Sequence, residues 1–358
     1  MRALVMEELR KPLVVREMPD PECADDGVVI KVEANGVCRS DWHAWQGDWD
    51  WIGIALPLPH ILGHEFSGVV EEVGRNVKNF KKGDRVIAPF TVGDGTCPYC
   101  QSGHHNICSN IQLLGFSTWG GYGRYTAVPN ADLNLVHLPE SISFVEAAGM
   151  GCRFMTAFHG VTDQADVKGG EWVAVHGCGG VGLSAIQIAS ALGANVIAVD
   201  IGEDKLELAK QLGAVATVNA KEVNPAQAVR EITRGGAHVS VDALGIKQTC
   251  QAAISGLRKR GRHLQIGLTT REEQGMIPLP IDFIVQAEIQ LIGSLGMQPS
   301  RYPSMLGMVE SGKLKPGALV TKTISLDEVP NIFEEMNTFQ NVGVTVVDKW
   351  DAKVSVEK

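Results

Sequence analysis

The stretch Glu171–Lys205, EWVAVHGCGGVGLSAIQIASALGANVIAVDIGEDK, decides the fold. Trp172–His176 is a short apolar, β-branched run of the kind a buried parallel strand needs. A glycine turn follows, Gly177-Cys178-Gly179-Gly180-Val181-Gly182. An apolar helical pattern then runs to about Leu192 and stops at Gly193, and a second strand, Asn195–Val199, ends in Asp200. This is the length a strand–helix–strand crossover requires. Gly177 permits the sharp turn, Gly179 lets backbone approach a pyrophosphate, and Gly182 lets the helix pack close to the strand. The helix N-terminus offers unpaired N–H groups and a positive dipole end to phosphate. Asp200 lies about 20 residues on, where a carboxylate accepts ribose hydroxyls and repels a 2′-phosphate. The unit therefore reads as a site for NAD rather than NADP. Trp172–Val199 contains no charged residue, but its glycines and polar side chains argue for a strand and helix inside a folded domain, not a membrane span.

Outward from this unit, the 358 residues exceed one ordinary core and predict two domains. Hydrophobic content of 44% and charged content of 20% suit a folded globular protein. The net charge of −9 argues against nucleic acid as the main partner, since phosphate demands a basic footprint. The N-terminus interrupts its apolar residues with Glu7, Glu8, Arg10 and Lys11, so it does not read as a secretory signal, and a cytoplasmic location is expected. Of the eight cysteines, three crowd into Cys97–Cys108, a clustering that points to metal before disulfide.

Before the crossover unit, Val28–Val32 reads as a strand and is followed by Cys38-Arg39-Ser40-Asp41-Trp42-His43. After a loop rich in Trp and Pro comes Leu62-Gly63-His64-Glu65. A thiolate plus an imidazole is half of a zinc site. His60, four residues before His64, would share a helix face with it, but Pro57, Pro59 and Gly63 disfavour a helix there, and His60 reads as pocket wall or surface. Asp94-Gly95-Thr96-Cys97-Pro98-Tyr99-Cys100, with Cys108 nearby, is a zinc-knuckle pattern. Phe144–Gly149 starts a helix and Gly151-Cys152 follows. Beyond it, strands are expected at Trp172–His176, Asn195–Val199, Val215–Val218, His238–Asp242, His263–Ile266 and Ile289–Ile292, the pattern of a doubly wound sheet.

With CRSD-x-H, GHE, a later Gly-Cys and the segment His43-Ala44-Trp45-Gln46-Gly47-Asp48-Trp49 in view, the chain resembles the zinc-dependent medium-chain alcohol dehydrogenase family, its yeast-like and bacterial tetrameric branch in particular. The resemblance runs from Cys38 to at least Gly296. It implies an α/β architecture: a Rossmann coenzyme domain with a six-stranded doubly wound parallel sheet, plus a mainly β, GroES-like catalytic domain. Boundaries are expected at 1–153 (catalytic, with a structural-zinc lobe at about 93–110), 154–293 (NAD-binding) and 294–358 (catalytic again).

The resemblance also implies site residues. Cys38, His64 and Cys152 match the catalytic zinc ligands, and Glu65 the carboxylate beside the metal. Asp41 matches the carboxylate that orients the ligand imidazole, and Ser40 with His43 the proton relay. Two thiolates and one neutral imidazole leave a tetrahedral position open, as a catalytic zinc requires. Trp49, Trp51 and Phe90 would line the substrate pocket. Cys97, Cys100 and Cys108 match a structural zinc whose usual first cysteine is replaced by Asp94, giving an Asp–Cys₃ set, with His104 and His105 as candidate substitutes. Lys205 would join Asp200 at the adenosine ribose, Val181 would back the nicotinamide, and Ile266, Gly267 and Leu268 would meet its carboxamide. The basic residue expected near the last strand is missing from Asn341-Val342-Gly343-Val344-Thr345, and Arg301 is the candidate replacement.

The expected reaction interconverts an alcohol and an aldehyde or ketone with NAD. A polyol, formaldehyde or threonine dehydrogenase of the same fold is the first alternative, although Cys152 stands where polyol enzymes carry glutamate. A non-catalytic nucleotide-binding relative is the second. No membrane or nucleic-acid partner is expected, and a homo-oligomer, a tetramer by the resemblance, is.

Overall fold

The computed structural model describes residues 1–49, 56–338 and 341–350. The chain forms two compact units. One comprises Met1–Cys152, Gly296–Leu306 and the described residues from Val320, and the other Arg153–Leu295 with Gly307–Leu319.

The first unit is mainly β. Its seven-stranded sheet contains Val320–Ser325, Val344–Lys349, Val28–Val37, Glu65–Val73, Arg85–Ile87 and Val136–His137 in that order, with Tyr125–Val128 also on Val28–Val37. Val28–Val37 runs five residues past the expected Val32, because its far half pairs with Glu65–Val73 and Val344–Lys349. That extension carries the chain directly to Cys38. The same register sets Gly36 opposite Glu65, so the two segments that follow and precede these residues, at Cys38 and His64, meet at one end of the sheet. Ile30, Phe66, Tyr122, Met6 and Phe333 fill the core and are all about fully buried, each apolar side chain removed from water contributing about 1.5–3 kcal/mol.

The second unit is the doubly wound sheet. Six parallel strands lie in the order Ala214–Asn219, Asn195–Asp200, Trp172–His176, Ala237–Asp242, Leu257–Gln265, Gln290–Gly293. Strand order reverses between Trp172–His176 and Ala237–Asp242, the switch point at whose carboxyl ends such sheets bind ligands. Val173, Ala174 and Val175 are wholly buried, which is why the strand reads as a continuous apolar run. Gly307–Leu319 groups with this unit, where the Gln187 amide brackets Lys315, donating to its carbonyl at 3.1 Å and accepting from its N–H at 2.8 Å.

Candidate functional site

Cys38 caps the helix Arg39–Gln46 in an extended conformation, and Asp41 sits at the third helical position. Asp41 reaches back to the Cys38 N–H through Oδ2 at 3.2 Å, one arm of a capping box. Its other oxygen, Oδ1, accepts from Gly63 N–H at 3.1 Å and from His64 Nδ1 at 2.8 Å. Tyr122 donates its hydroxyl to Oδ2 at 3.3 Å. One carboxylate, with no exposed surface, therefore ties the Cys38 segment to the His64 segment. Cys152 enters as the first residue of the helix Cys152–His159, preceded by Gly151. A Cβ on Gly151 would lie 2.4 Å from the Cβ of Glu65, so only glycine lets that helix start against the glutamate. Ligand atoms of Cys38, His64, Glu65 and Cys152 all fall within 4.8 Å of one another.

These residues fit a zinc ion. His64 Nε2 is buried without a hydrogen-bond partner, although the Cys38 sulfur is close enough to act on the ring. With Nδ1 donating to Asp41, the Nε2 lone pair is the one turned to the cluster, the tautomer a metal needs. Burial presses the His64 imidazole toward neutrality, yet Asp41 and Cys38 overrule it and hold the ring well above its usual value. The cluster favours positive charge at its centre. Two sulfurs, one imidazole nitrogen and a neighbouring carboxylate are the donor set of a catalytic zinc with an open position.

The second cluster lies in the same unit. Ligand atoms of Asp94, Cys97, Cys100 and Cys108 fall within 4.8 Å of one another. Cys97 Sγ and Cys108 Sγ are 3.8 Å apart, and Cys108 Sγ is 3.4 Å from Asp94 Oδ1. A tetrahedron with metal–sulfur bonds of about 2.3 Å and a metal–oxygen bond of about 2.1 Å has edges of about 3.8 and 3.6 Å, so the side chains stand at zinc spacing. Backbone N–H groups converge on the sulfurs: Cys100 and Ser109 donate to Cys97 at 3.4 and 3.5 Å, and Asp94 and Asn110 to Cys108 at 3.5 and 3.3 Å. Those to Cys97 are the main reason its thiol is lowered to about 6, whereas burial raises Cys100 to about 12. The Asn110 amide, at 2.6 Å from Oδ2, is the first cause of the lowered Asp94 carboxyl. His104 and His105 stand outside this ligand group.

In the other unit, Gly177 takes φ +91°, and a Cβ on Gly182 would sit 1.7 Å from the Gly177 carbonyl oxygen. The helix Gly180–Ala191 can therefore start against the turn only with glycine there. Gly179 has open space beside it, and Gly180 lies under the Arg153 side chain. Asp200 accepts the Cys178 N–H at 2.6 Å and the Ile201 and Gly202 N–H groups at 2.7 and 2.9 Å, bracing the turn against the end of its own strand. Lys205 folds back over Gly202, beside Asp200. Ile266 and Gly267 donate to the Asp242 carbonyl at 3.1 and 2.9 Å. Val181 is half-buried in the first helical turn, and Leu268 is exposed.

Two family models match the chain, an alcohol dehydrogenase GroES-like domain over residues 24–140 and a zinc-binding dehydrogenase over 180–311. An alcohol dehydrogenase of Geobacillus stearothermophilus is 38% identical over 337 residues, 94% of this chain and 96% of that protein. The chain belongs to the zinc-dependent medium-chain alcohol dehydrogenase family. An NAD-dependent alcohol dehydrogenase of Sulfurisphaera tokodaii is 35% identical, across 97% of this chain and 99% of its own. The solved structure of the Aeropyrum pernix alcohol dehydrogenase superposes with a TM-score of 0.88 at 30% identity, covering 97% of this chain and 99% of that one.

Within this family member, aromatic side chains wall the His64 side of the cluster. Phe90 meets the His64 ring edge-on at 5.8 Å between centroids, and Phe116 lies closer, at 4.8 Å. Phe116 was not legible from the sequence, because nothing in its neighbourhood marks it; it also touches Trp49, at 5.8 Å. Trp51 lies outside the described residues. Trp45 is core, packed on Phe333 with its indole N–H on the Lys11 carbonyl. Ser40 and His43 share a face of the helix Arg39–Gln46, three residues apart. His60 is no surface residue: it is buried in an isolated bridge to Met6, and its Nε2 pairs with the Gly115 carbonyl at 3.1 Å. Arg301 closes the short 3₁₀ turn Pro299–Arg301.

Proposed function

We infer that the protein is an NAD-dependent, zinc-dependent dehydrogenase that interconverts a small alcohol and its aldehyde or ketone. The observation that carries this reading is the meeting of Cys38, His64 and Cys152, with an unpartnered imidazole Nε2 among the donors. When bound, zinc supplies Lewis acidity at the substrate oxygen and NAD exchanges the hydride.

The remaining work falls to the chain. Cys38, His64 and Cys152 hold the metal, and Asp41 keeps the imidazole in its ligating tautomer. Ser40 and His43 take the hydroxyl proton away. Glu65 stands beside the metal as an exchangeable carboxylate. Trp49, Phe90 and Phe116 give an apolar wall that excludes water and favours a carbon chain or ring. In the coenzyme unit, N–H groups at Gly179–Gly182 take the pyrophosphate, and Asp200 with Lys205 holds the adenosine ribose. Val181 and the Ile266–Leu268 backbone address the nicotinamide. Asp94, Cys97, Cys100 and Cys108 hold a second zinc that clamps their loop. A cytoplasmic homo-oligomer, a tetramer on the family resemblance, is part of the proposal. Among the described residues no helix is long and apolar enough to cross a membrane.

The test is metal analysis of the purified protein together with oxidation of primary, secondary, benzylic and polyhydric alcohols with NAD and with NADP. About two zinc per chain and NAD-linked oxidation of simple or benzylic alcohols is the expected result. Full zinc with no turnover of any alcohol would refute it, and preference for the polyol would move it to the polyol branch.

A further inference from the structure

The helix Arg39–Gln46 stops at Gly47, whose backbone is left-handed, with φ 67° and ψ 31°. Gly47 N–H bonds the Ala44 carbonyl at 3.1 Å and Asp48 N–H bonds the His43 carbonyl at 3.0 Å. This pair of bonds is a Schellman closure, which folds the chain back along the last helical turn. Its effect here is specific. The Asp48 side chain returns to His43, and its Oδ2 lies 2.8 Å from the imidazole Nδ1. The ring is fixed from two further sides, stacked on Trp49 at 5.7 Å and met by the Trp42 edge at 5.0 Å. His43 and Asp48 keep 23% and 18% of their side-chain surface, so the pair is partly shielded without being sealed from water.

A carboxylate accepts and does not donate, so the proton between the two groups belongs to Nδ1. Nε2 is then left with the lone pair. We propose that Asp48 is a positioning residue for proton transfer, fixing His43 in the Nδ1–H tautomer so that Nε2 takes up the proton released by the alcohol. The inference rests on the reading of His43 as the proton carrier. The step is a proton transfer alone: the Nε2–H bond forms as the donor O–H bond breaks, the ring becomes imidazolium, and Nε2 returns the proton to water. Asp48 forms no bond in the step, and its charge compensates the imidazolium.

The groups facing His43 bear this out electrostatically. Burial disfavours the charged ring, and the Arg39 guanidinium opposes it as well. The hydrogen bond and charge of Asp48 are the main counterweight, with Cys38 a smaller one. Arg39 is itself drawn aside, over the Trp42 ring at 4.4 Å and onto the Met336 carbonyl at 3.0 Å. Asn337, at the end of the packed helix Val329–Met336, faces this helix through Trp42 and Gln46 and carries no charge.

The experiment uses the zinc-loaded full chain as wild type, Asp48→Asn, His43→Gln and the double variant, with kcat and KM for alcohol oxidation followed across pH. Zinc content and Tm are measured alongside. Asp48→Asn is expected to lower kcat near neutrality roughly 10- to 100-fold, a fraction of what a positioned proton acceptor supplies. KM, zinc content and Tm should stay close to wild type, and the inflection of the pH profile should move to lower pH. In the His43→Gln background, Asp48→Asn should cost less than about twofold more, because the two side chains act as one unit. Gly47→Ala, which keeps the carboxylate but strains the turn presenting it, should move the inflection the same way. Independent, multiplying losses in the double variant would overturn the proposal, as would a fall in kcat with an unmoved inflection. If His43→Gln alone left kcat and its pH profile unchanged, the proton-carrier reading itself would fall, and this inference with it.

Discussion

Replacing Asp41 with Asn strikes the side chain that holds two candidate zinc ligands at once. The carboxylate accepts from four donors: the N–H groups of Cys38 and Gly63, His64 Nδ1 and the Tyr122 hydroxyl. An amide oxygen in place of Oδ1 keeps His64 and Gly63. The amide nitrogen then replaces Oδ2 and faces the Cys38 N–H, donor against donor at 3.2 Å. One buried donor left unsatisfied costs about 1–3 kcal/mol. At about 2–4 °C per kcal/mol for a domain of this size, Tm should fall by about 2–12 °C. Loss of the negative charge also weakens the hold on a cation. A disrupted partner of a metal-bound imidazole typically costs about 10–100-fold in metal affinity, or about 1.4–2.7 kcal/mol. Asp41→Ala is the wrong probe, since it removes the shared acceptor of four hydrogen bonds at once, up to roughly 4–12 kcal/mol, which rivals the stability of a whole domain. The assay is zinc release to a coloured chelator, with Tm by circular dichroism. Asp41→Asn should release one zinc about tenfold or more faster, while a second zinc, proposed for the Cys97–Cys108 lobe, should keep its wild-type rate. Release within about twofold of wild type, with Tm unchanged, would refute the idea that Asp41 governs this site.

Two further outcomes are expected. Burial first, and then His263, hold His176 down at about 3. An unfolded imidazole titrates near 6.5, so between those values the unfolded chain binds a proton that the folded chain does not, and stability falls as pH drops through that window. The slope from this one group reaches about 1.4 kcal/mol per pH unit. His176→Leu should flatten the pH dependence of urea unfolding between about pH 4 and 6.5 by that amount, and an unchanged slope would mean that the ring titrates in the fold. Asp94→Ala leaves three sulfurs at the lobe; zinc should drop from about two to about one per chain and thermal inactivation should quicken, with kcat of the surviving enzyme within about twofold. Undiminished zinc in metal analysis would show that Asp94 serves the lobe only through its bonds to Thr96, Cys97 and Asn110.

The Glu171–Lys205 unit was legible because its information is local. Strand, turn and helix follow from apolar periodicity and glycine placement within about 30 residues, and the observed strand Trp172–His176 and helix Gly180–Ala191 follow that text closely. The grouping of Cys97 with Cys100 was legible for the same reason: Cys97 caps the one-turn helix Pro98–Gln101 that carries Cys100. The histidines were harder. The GHE motif set His64 apart from His60, four residues earlier, but only the fold gives one to the Gly115 carbonyl and the other to Asp41. The four tryptophans between 42 and 51 likewise show no sequence difference that would send Trp45 into the core and Trp49 beside Phe116.

By itself, then, the amino-acid order determined the architecture, the dinucleotide turn and the types of donor available, since these depend on backbone conformations and contacts a few residues apart. Which donors face one another was decided only in three dimensions. The pairing of Gly36 with Glu65 puts Cys38 beside His64, and the missing side chain at Gly151 lets the backbone before Cys152 pack directly on Glu65. Strand register and side-chain packing fix such meetings across more than a hundred residues of chain. No short-range rule carries that information, because a slip of one residue would send every side chain of the strand to the other face.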